Sequence, residues 1–128
     1  MKIIAMSIFV DNQDKAKQFY TEKLGFELKH DIEMGGEFKW LTVKENNSNN
    51  SVEIVLEPNV SEIAKNYQEG LYSAGIPVTM FGVENMEASH ERLVNLGVEF
   101  HTKPKVVDGT KLAVIKDTCG NLIQLIEQ

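Results

Sequence analysis

The chain has few of the features that mark extracellular, membrane or nucleic-acid-binding proteins. It contains one cysteine, Cys119, in 128 residues, which excludes an internal disulfide and favours a reducing cytoplasm. No apolar run approaches the ~20 residues that span a bilayer, so no membrane partner is expected. The net charge of −6 argues against nucleic acid as a partner, because no basic surface dominates.

Familiar catalytic motifs are also missing. The sequence has no glycine-rich phosphate loop and no nucleophile elbow. His30, His90 and His101 lack metal-binding spacing, and we expect all three at the surface. Cys119 lies in a turn without a cationic neighbour in sequence to activate its thiol, which disfavours a reactive cysteine.

The chain does contain an internal repeat. The segments that begin IFVDNQ at Ile8 and MFGVEN at Met80 each combine a short apolar strand, a helix closed by Leu-Gly and a second strand. The strands end at Val10 and Val83, in each case followed by an acidic residue and an asparagine. Because strand, cap, helix length and closing glycine all recur, the pattern indicates a duplicated module.

Helix signals agree with the repeat. Asn12 and Asn85 are suited to cap the two helices, because an asparagine oxygen accepts a free amide of the first turn. Gly25 and Gly97 suit the left-handed residue that ends a helix.

The rest of the chain completes one domain of two similar halves. Residues 43–51 read as an exposed hairpin loop, and the stretch after Ser61 reads as a connector helix. The order is β-α-β-β-β, helix, β-α-β-β-β. We expect module 1 at 1–58, the connector helix at 59–75 and module 2 at 76–128.

Three stretches carry a resemblance to a known family. They are VDNQDKAKQFYTEKLGFEL, VENMEASHERLVNLGVEF and DTCGNLIQLIE, and they resemble the vicinal oxygen chelate superfamily of glyoxalases, bleomycin resistance proteins and dioxygenases. In the last, Thr118 and Cys119 replace the family's Pro-Asp. The resemblance implies an α+β fold in which two βαβββ modules form a curled mixed-sheet cup around a small ligand. It also implies a homodimer.

The metal site of the family's enzymes is not retained. The resemblance places its four ligand positions at Ala5, Val55, Val78 and Gln124. Only Gln124 offers a donor atom, whereas a divalent ion needs several converging oxygens or nitrogens. We therefore expect no metal and no cofactor.

Strand alternation predicts which side chains face the cup. Residues two apart on a strand share a face. Ile4, Met6, Ile8 and Val10 form an apolar set that should face the helices. The opposite face is mixed in polarity, as ligand pockets are, and Trp40 has the size to stack on a flat ligand. The predicted pocket-lining residues are Ser7, Phe9, Trp40, Glu53, Val55, Glu57, Met80 and Gln124.

Each of these assignments has a plainer alternative. Gln124 could fill space and bond a neighbouring backbone group or water. Glu53 and Glu57 could lie on a solvated strand face, and Trp40 could pack in the core or a dimer interface.

Three functions follow from this pattern. The first is binding of a small organic molecule without a metal, as in bleomycin resistance proteins. The second is a metal-dependent lyase, isomerase or dioxygenase, so enzymatic activity stays open and no catalytic residue is identified. The third is a catalytically silent structural or interaction module.

Overall fold

The computed structural model describes residues 1–50 and 52–128, which divide into two compact units, Met1–Lys65 and Asn66–Gln128. The first unit holds one four-stranded mixed sheet of order β1-β4-β3-β2. Strands β1 and β4 are parallel and the other neighbours antiparallel. Its elements are β1 (Ala5–Val10), α1 (Gln13–Gln18) continued by a π-helical segment (Phe19–Lys23), β2 (Glu27–Glu33), β3 (Lys39–Lys44) and β4 (Glu53–Pro58).

The second unit repeats this arrangement. Its sheet has the order β5-β8-β7-β6, again with a parallel first pair. Helix α2 (Glu62–Ser73) begins in the first unit and ends in the second. The remaining elements are β5 (Thr79–Val83), α3 (Met86–Asn95), β6 (Phe100–Val107), β7 (Thr110–Lys116) and β8 (Leu122–Glu127). The prediction of two βαβββ modules in an α+β fold is confirmed; the module boundaries at 58 and 76 stay a prediction.

The predicted helix ends are present in both units. The Oδ1 atom of Asn12 accepts the Lys15 amide at 2.9 Å, and that of Asn85 accepts the Ala88 amide at 2.9 Å. Gly25 has φ +84°, and Gly97 has φ +81°, a region that a residue with a Cβ rarely adopts. The same local chemistry therefore starts and stops each module's helix.

Each unit has an apolar core on one face of its sheet. In the first unit the core residues include Ile8, Val10, Ala16, Phe19, Tyr20, Leu41, Val43 and Leu56, and in the second they include Met86, Leu93, Ala113, Ile115, Ile123 and Leu125. One part of the predicted pattern is wrong: Ile4 and Met6 share the strand face of Ile8, yet they are 66% and 62% exposed. The first half of β1 is therefore left uncovered in its own chain.

The side chain of Gln13, the first residue of α1, hydrogen-bonds to the backbone of two strands of the first sheet. Its Nε2 donates to the carbonyl oxygens of Lys39 at 2.8 Å and Leu56 at 2.9 Å, and its Oε1 accepts the Lys39 amide at 3.0 Å. The side chain is almost fully buried. Because buried backbone groups need partners, Gln13 fixes the start of β3 and the end of β4 against the helix.

Buried hydrogen bonds also hold the turn that precedes β8. The Asp117 carboxylate accepts the amides of Cys119 at 2.8 Å and Asn121 at 2.9 Å. Gln68 of α2 donates to the Cys119 carbonyl at 2.9 Å. A Cβ added at Gly120, where φ is +97°, would lie 2.9 Å from Nε2 of Gln68. The Cys119 side chain is buried, and its backbone amide and carbonyl take part in the hydrogen bonds of the turn.

We predict that Gln13→Ala lowers the free energy of unfolding by about 2–4 kcal/mol, because it leaves one buried and two part-buried backbone groups without their hydrogen-bond partner. Gln18→Ala on the exposed side of α1 is the matched control and should change stability by less than about 0.5 kcal/mol. Urea denaturation of both variants measures the difference. Equal effects of the two substitutions would contradict the role of Gln13.

Candidate functional site

The first sheet has one face that is turned away from α1, and we call it the site face. Lys17 and Asp14 of α1 pair with Asp31 at 2.7 Å and Lys39 at 2.8 Å, and so mark the helix side of β2 and β3. Alternate residues point the other way. Strand pairing sets Ser7 beside Val55, Val55 beside Thr42 and Thr42 beside His30. The site face comprises Ser7, Phe9, His30, Ile32, Trp40, Thr42, Lys44, Glu53, Val55 and Glu57.

Three side chains form a polar cluster at its centre. Thr42 Oγ1 donates to Glu53 Oε1 at 2.6 Å, and His30 Nδ1 lies 2.9 Å from the same oxygen. Thr42 is fully buried, and His30 and Glu53 are half-buried. Since a carboxylate can only accept, it selects the ring tautomer with hydrogen on Nδ1. The Nε2 atom of a neutral His30 is then an acceptor.

The cluster keeps Glu53 ionised. The Thr42 hydrogen bond has the largest effect and lowers the pKa of the Glu53 carboxyl, while burial opposes it. The His30 hydrogen bond, the charge of His30 and the charge of Lys29 lower it further. A carboxylate with a lowered pKa is a weak base. Glu53 is therefore better suited to accept hydrogen bonds or to attract a cation than to remove a proton.

A second carboxylate lies on the same strand. Ser7 Oγ donates to Glu57 Oε1 at 3.1 Å, so its hydroxyl hydrogen is also used within the face. Glu53 and Glu57 are four residues apart on β4, a separation of roughly 13 Å at the rise of an extended strand. Val55 lies between them and is buried. The two acceptors thus flank an apolar position.

An apolar strip adjoins the polar cluster on the β2–β3 hairpin. Ile32 pairs with Trp40, and beyond them the Met34 amide donates to the Phe38 carbonyl at 3.1 Å. By alternation these four residues lie on the side of His30 and Thr42. Ile32, Met34 and Phe38 are 49%, 59% and 40% exposed, so the strip is open to a ligand.

The structure places the eight predicted residues on the two sheets. Six lie on the site face: Ser7, Phe9, Trp40, Glu53, Val55 and Glu57. Met80 and Gln124 are strand partners of each other in the second unit, where Gln124 also pairs with Val114. That all eight line one pocket stays a prediction.

His30 and Thr42 were missed from the sequence, and for His30 the reason is a β-bulge. Leu28 pairs with Val43, and regular antiparallel pairing would then set residue 30 opposite Leu41 on the core face. The register shifts between Leu28 and His30, which turns His30 to the site face. The expected surface position of His30 is corrected to a half-buried, bonded one. Glycine and proline do not mark this bulge, so the sequence gives no signal for it.

The four positions inferred for metal ligands supply one donor. Ala5 pairs with Glu53, and Val55 with Ser7. In the other unit the Val78 amide donates to the Leu122 carbonyl at 2.9 Å. Among the described residues, His, Cys, Asp and Glu form no group of three or more arranged to hold a metal ion. In the same part of the chain, no helix is long and apolar enough to cross a membrane.

We predict that the stabilising effect of the cluster is lost in acid. A lowered folded-state pKa means that ionised Glu53 contributes fully above its unfolded-state pKa, and that the contribution disappears as the pH falls through the folded-state value. Thr42→Val should therefore lower the free energy of unfolding by about 1–2 kcal/mol at neutral pH and by less near pH ~3.

Denaturant titrations at the two pH values measure this effect. Valine fits such a position, because Val114 occupies the equivalent place in the second sheet. Thr79→Val on β5 is the control, with a difference that does not depend on pH. A Thr42→Val effect of the same size at both pH values would rule out the linkage to Glu53.

Comparison with known proteins adds a family and several relatives. The family model described as Glyoxalase/Bleomycin resistance protein/Dioxygenase superfamily matches residues 2–125. The uncharacterized protein YurT of Bacillus subtilis (strain 168) is 46% identical over 128 residues, which cover 100% of both chains.

Two solved structures are similar over nearly the whole chain. The crystal structure of UcmS2 is 34% identical, with a TM-score of 0.85, and the match covers 100% of this chain and 98% of that one. TnmS3, an antibiotic binding protein from Streptomyces sp. CB03234, is 25% identical, with a TM-score of 0.73 and coverage of 99% and 95%.

Proposed function

Because the chain belongs to the Glyoxalase/Bleomycin resistance protein/Dioxygenase superfamily, we propose that it binds a small organic molecule on the site face, without a metal. The proposed ligand-contacting residues on the site face are Ser7, Phe9, Trp40, Glu53, Val55 and Glu57, and Met80 and Gln124 of the second unit stay predicted pocket-lining residues. A cytoplasmic location is part of the proposal and is supported by the low cysteine content of one cysteine in 128 residues, which is typical of proteins in a reducing compartment.

The observation that carries the proposal is the mixed character of the site face. Trp40 and Ile32 offer apolar contact area next to the bonded cluster of His30, Thr42 and Glu53. Small-molecule sites combine a mostly apolar lining with a few polar groups that set orientation. TnmS3 supports the same reading, because a similar chain of this fold is described as binding an antibiotic.

The residues present do not fit the metal that the family's enzymes use. Ala5, Val55 and Val78 have no donor atom in their side chains, and Gln124 alone cannot coordinate a divalent ion. Glu53 is engaged by Thr42 and His30 through Oε1. The proposed function is therefore ligand binding without a metal.

The chain's single tryptophan gives a direct readout of ligand binding. We predict that planar aromatic compounds change Trp40 fluorescence and raise the melting temperature. A compound at ~100 times its dissociation constant should stabilise the fold by ~2.7 kcal/mol. Trp40→Leu introduces the residue found as Leu112 at the equivalent position of β7, and it should weaken binding about tenfold through loss of ring stacking.

Calorimetric affinities of both proteins measure this loss without the fluorophore. Tyr67→Leu is the control, because Tyr67 is a half-exposed aromatic residue on α2. Unchanged affinity in Trp40→Leu, or an equal loss in Tyr67→Leu, would refute binding at the site face.

A homodimer is also part of the proposal. Strand β1 is the edge of its sheet, and Ile4 and Met6 are exposed on the face that is otherwise buried. An apolar edge strand left open is a liability that proteins usually cover. A second copy of the chain, bringing the same apolar residues, would cover it with a self-complementary contact.

We predict that the native chain of 14.4 kDa sediments as a dimer at micromolar concentration and that Met6→Lys shifts it to monomer. A lysine there would place an unpaired charge in the apolar contact, which is strongly unfavourable. Glu45→Lys in the exposed β3–β4 loop is the control and should stay dimeric. A native chain that sediments as a monomer would refute this part of the proposal.

A further inference from the structure

We infer that the ligand is a flat aromatic cation, whose charged nitrogen is read by His30, Thr42 and Glu53 and whose ring system lies on the apolar strip of the β2–β3 hairpin. This inference rests on the proposed function and adds the chemical class of the ligand. It depends on three features of the first unit: the hydrogen-bond balance of the site face, the position of the apolar strip, and the contrast with the second unit.

The polar cluster uses its own hydrogen-bond donors internally. Thr42 Oγ1 donates to Glu53 Oε1 at 2.6 Å, Ser7 Oγ donates to Glu57 Oε1 at 3.1 Å, and the His30 Nδ1 hydrogen points to Glu53. These contacts consume the hydrogens of the Thr42 and Ser7 hydroxyls and of His30 Nδ1, and they leave the second oxygens of both carboxylates as acceptors. A ligand that brings hydrogen-bond donors would complement these two carboxylate oxygens.

The charges on the face favour a cation over a neutral donor. The lowered pKa of Glu53 keeps this carboxylate ionised at neutral pH. The cation on the same face, Lys44, lies 3.6 Å from Glu27 and shares its charge with that residue. Among the described residues, His30 pairs with Glu53 at 2.9 Å and carries a charge only when protonated, and no lysine or arginine forms an ion pair with Glu53 or Glu57 within 4.0 Å. A positively charged nitrogen would gain a charge-assisted hydrogen bond, which is about twice as strong as a neutral one.

The apolar strip sets the shape of the rest of the ligand. Trp40 shares a strand pair with Ile32 and lies two residues from Thr42 on the same face. Met34 and Phe38 extend the strip to the hairpin tip. The other side of this hairpin is tied to α1 by Lys17–Asp31 and Lys39–Asp14, which holds the strip in place. An indole ring attracts cations and stacks on flat rings. Trp40 would therefore contact the ring system of the ligand, while Thr42, two residues along the same strand, belongs to the cluster that binds its charged nitrogen.

The second unit shows that the fold does not need this cluster. Equivalent positions follow from strand pairing: Thr102 pairs with Val114 as His30 pairs with Thr42, and Lys116 pairs with Leu122 as Lys44 pairs with Glu53. The duplicated sheet thus has threonine, valine and leucine where the first has histidine, threonine and glutamate. Buried polar groups cost free energy unless bonded, and a purely structural position has no use for them here.

Binding of two planar probes of opposite charge tests the inference. Proflavine is a planar aromatic cation, and anthraquinone-2-sulfonate is a planar aromatic anion. We expect the native protein to bind proflavine at least about tenfold more tightly than the sulfonate, as measured by calorimetry in moderate salt. Acridone, a neutral planar ring, should fall between them.

Matched variants locate the effect on the cluster. Glu53→Gln should weaken proflavine binding about tenfold and leave acridone binding unchanged. Glu33→Gln removes the same charge from the other side of β2 and should change neither. The triple variant His30→Thr, Thr42→Val, Glu53→Leu copies the second unit; it should fold, as judged by circular dichroism, and lose the preference for the cation.

The outcomes test two claims separately: that the site face binds small molecules, and that the ligand is an aromatic cation. If acridone or the sulfonate binds with a change in Trp40 fluorescence but proflavine has no advantage, the ligand class is wrong and the binding function stands. If none of the three probes binds, both are overturned. If Glu33→Gln weakens proflavine binding as much as Glu53→Gln does, the preference reflects the overall charge of −6, and the assignment to the cluster is wrong.

Discussion

The site face depends on the register of the first sheet, and the Gln13 side chain helps to hold that register. Its side-chain amide bonds Lys39 on β3 and Leu56 on β4 from the first turn of α1. Side chains alternate along a strand, so a slip of one residue would exchange the two faces. Trp40 and Glu53 would then point into the core, and Leu41 and Ile54 would lie on the site face. A single buried amide therefore protects both the core and the site.

The fold could be predicted from the sequence because its signals are local and occur twice. Asn12 and Asn85 each cap a helix through their own neighbours, and such a cap reads directly from residue type. The polar cluster could not be predicted, because His30 reaches Glu53 only through a bulge in β2. A bulge arises from pairing between strands, which residue type alone does not encode. The exposure of Met6 was missed for a related reason, since alternation gives a face but not what covers it.

Because the two sheets are duplicates, each residue of the polar cluster can be compared with its equivalent in the second unit. Two sheets with the same order and pairing set equivalent positions side by side within one chain. Where Val114 and Leu122 suffice for the second sheet, Thr42 and Glu53 of the first must form a bonded network to be tolerated. Among the described residues, every buried side-chain nitrogen and oxygen has a hydrogen-bond partner. The buried hydroxyl of Thr42 is thus already bonded to Glu53 before any ligand arrives.

The internal hydrogen bonds of the cluster and its remaining carboxylate acceptors together bear on what this face can do. A cluster that reorganised on binding would lose affinity to the ordering of its side chains, whereas Thr42 is already buried and bonded to Glu53. The Thr42 and His30 hydrogen bonds also lower the pKa of the Glu53 carboxyl, and a lower pKa makes this carboxylate a weaker base. The features that make Glu53 a good anchor for a cation thus make it a poor catalyst. The bonded, weakly basic carboxylate therefore agrees better with the proposed binding role of the site face than with proton abstraction by Glu53.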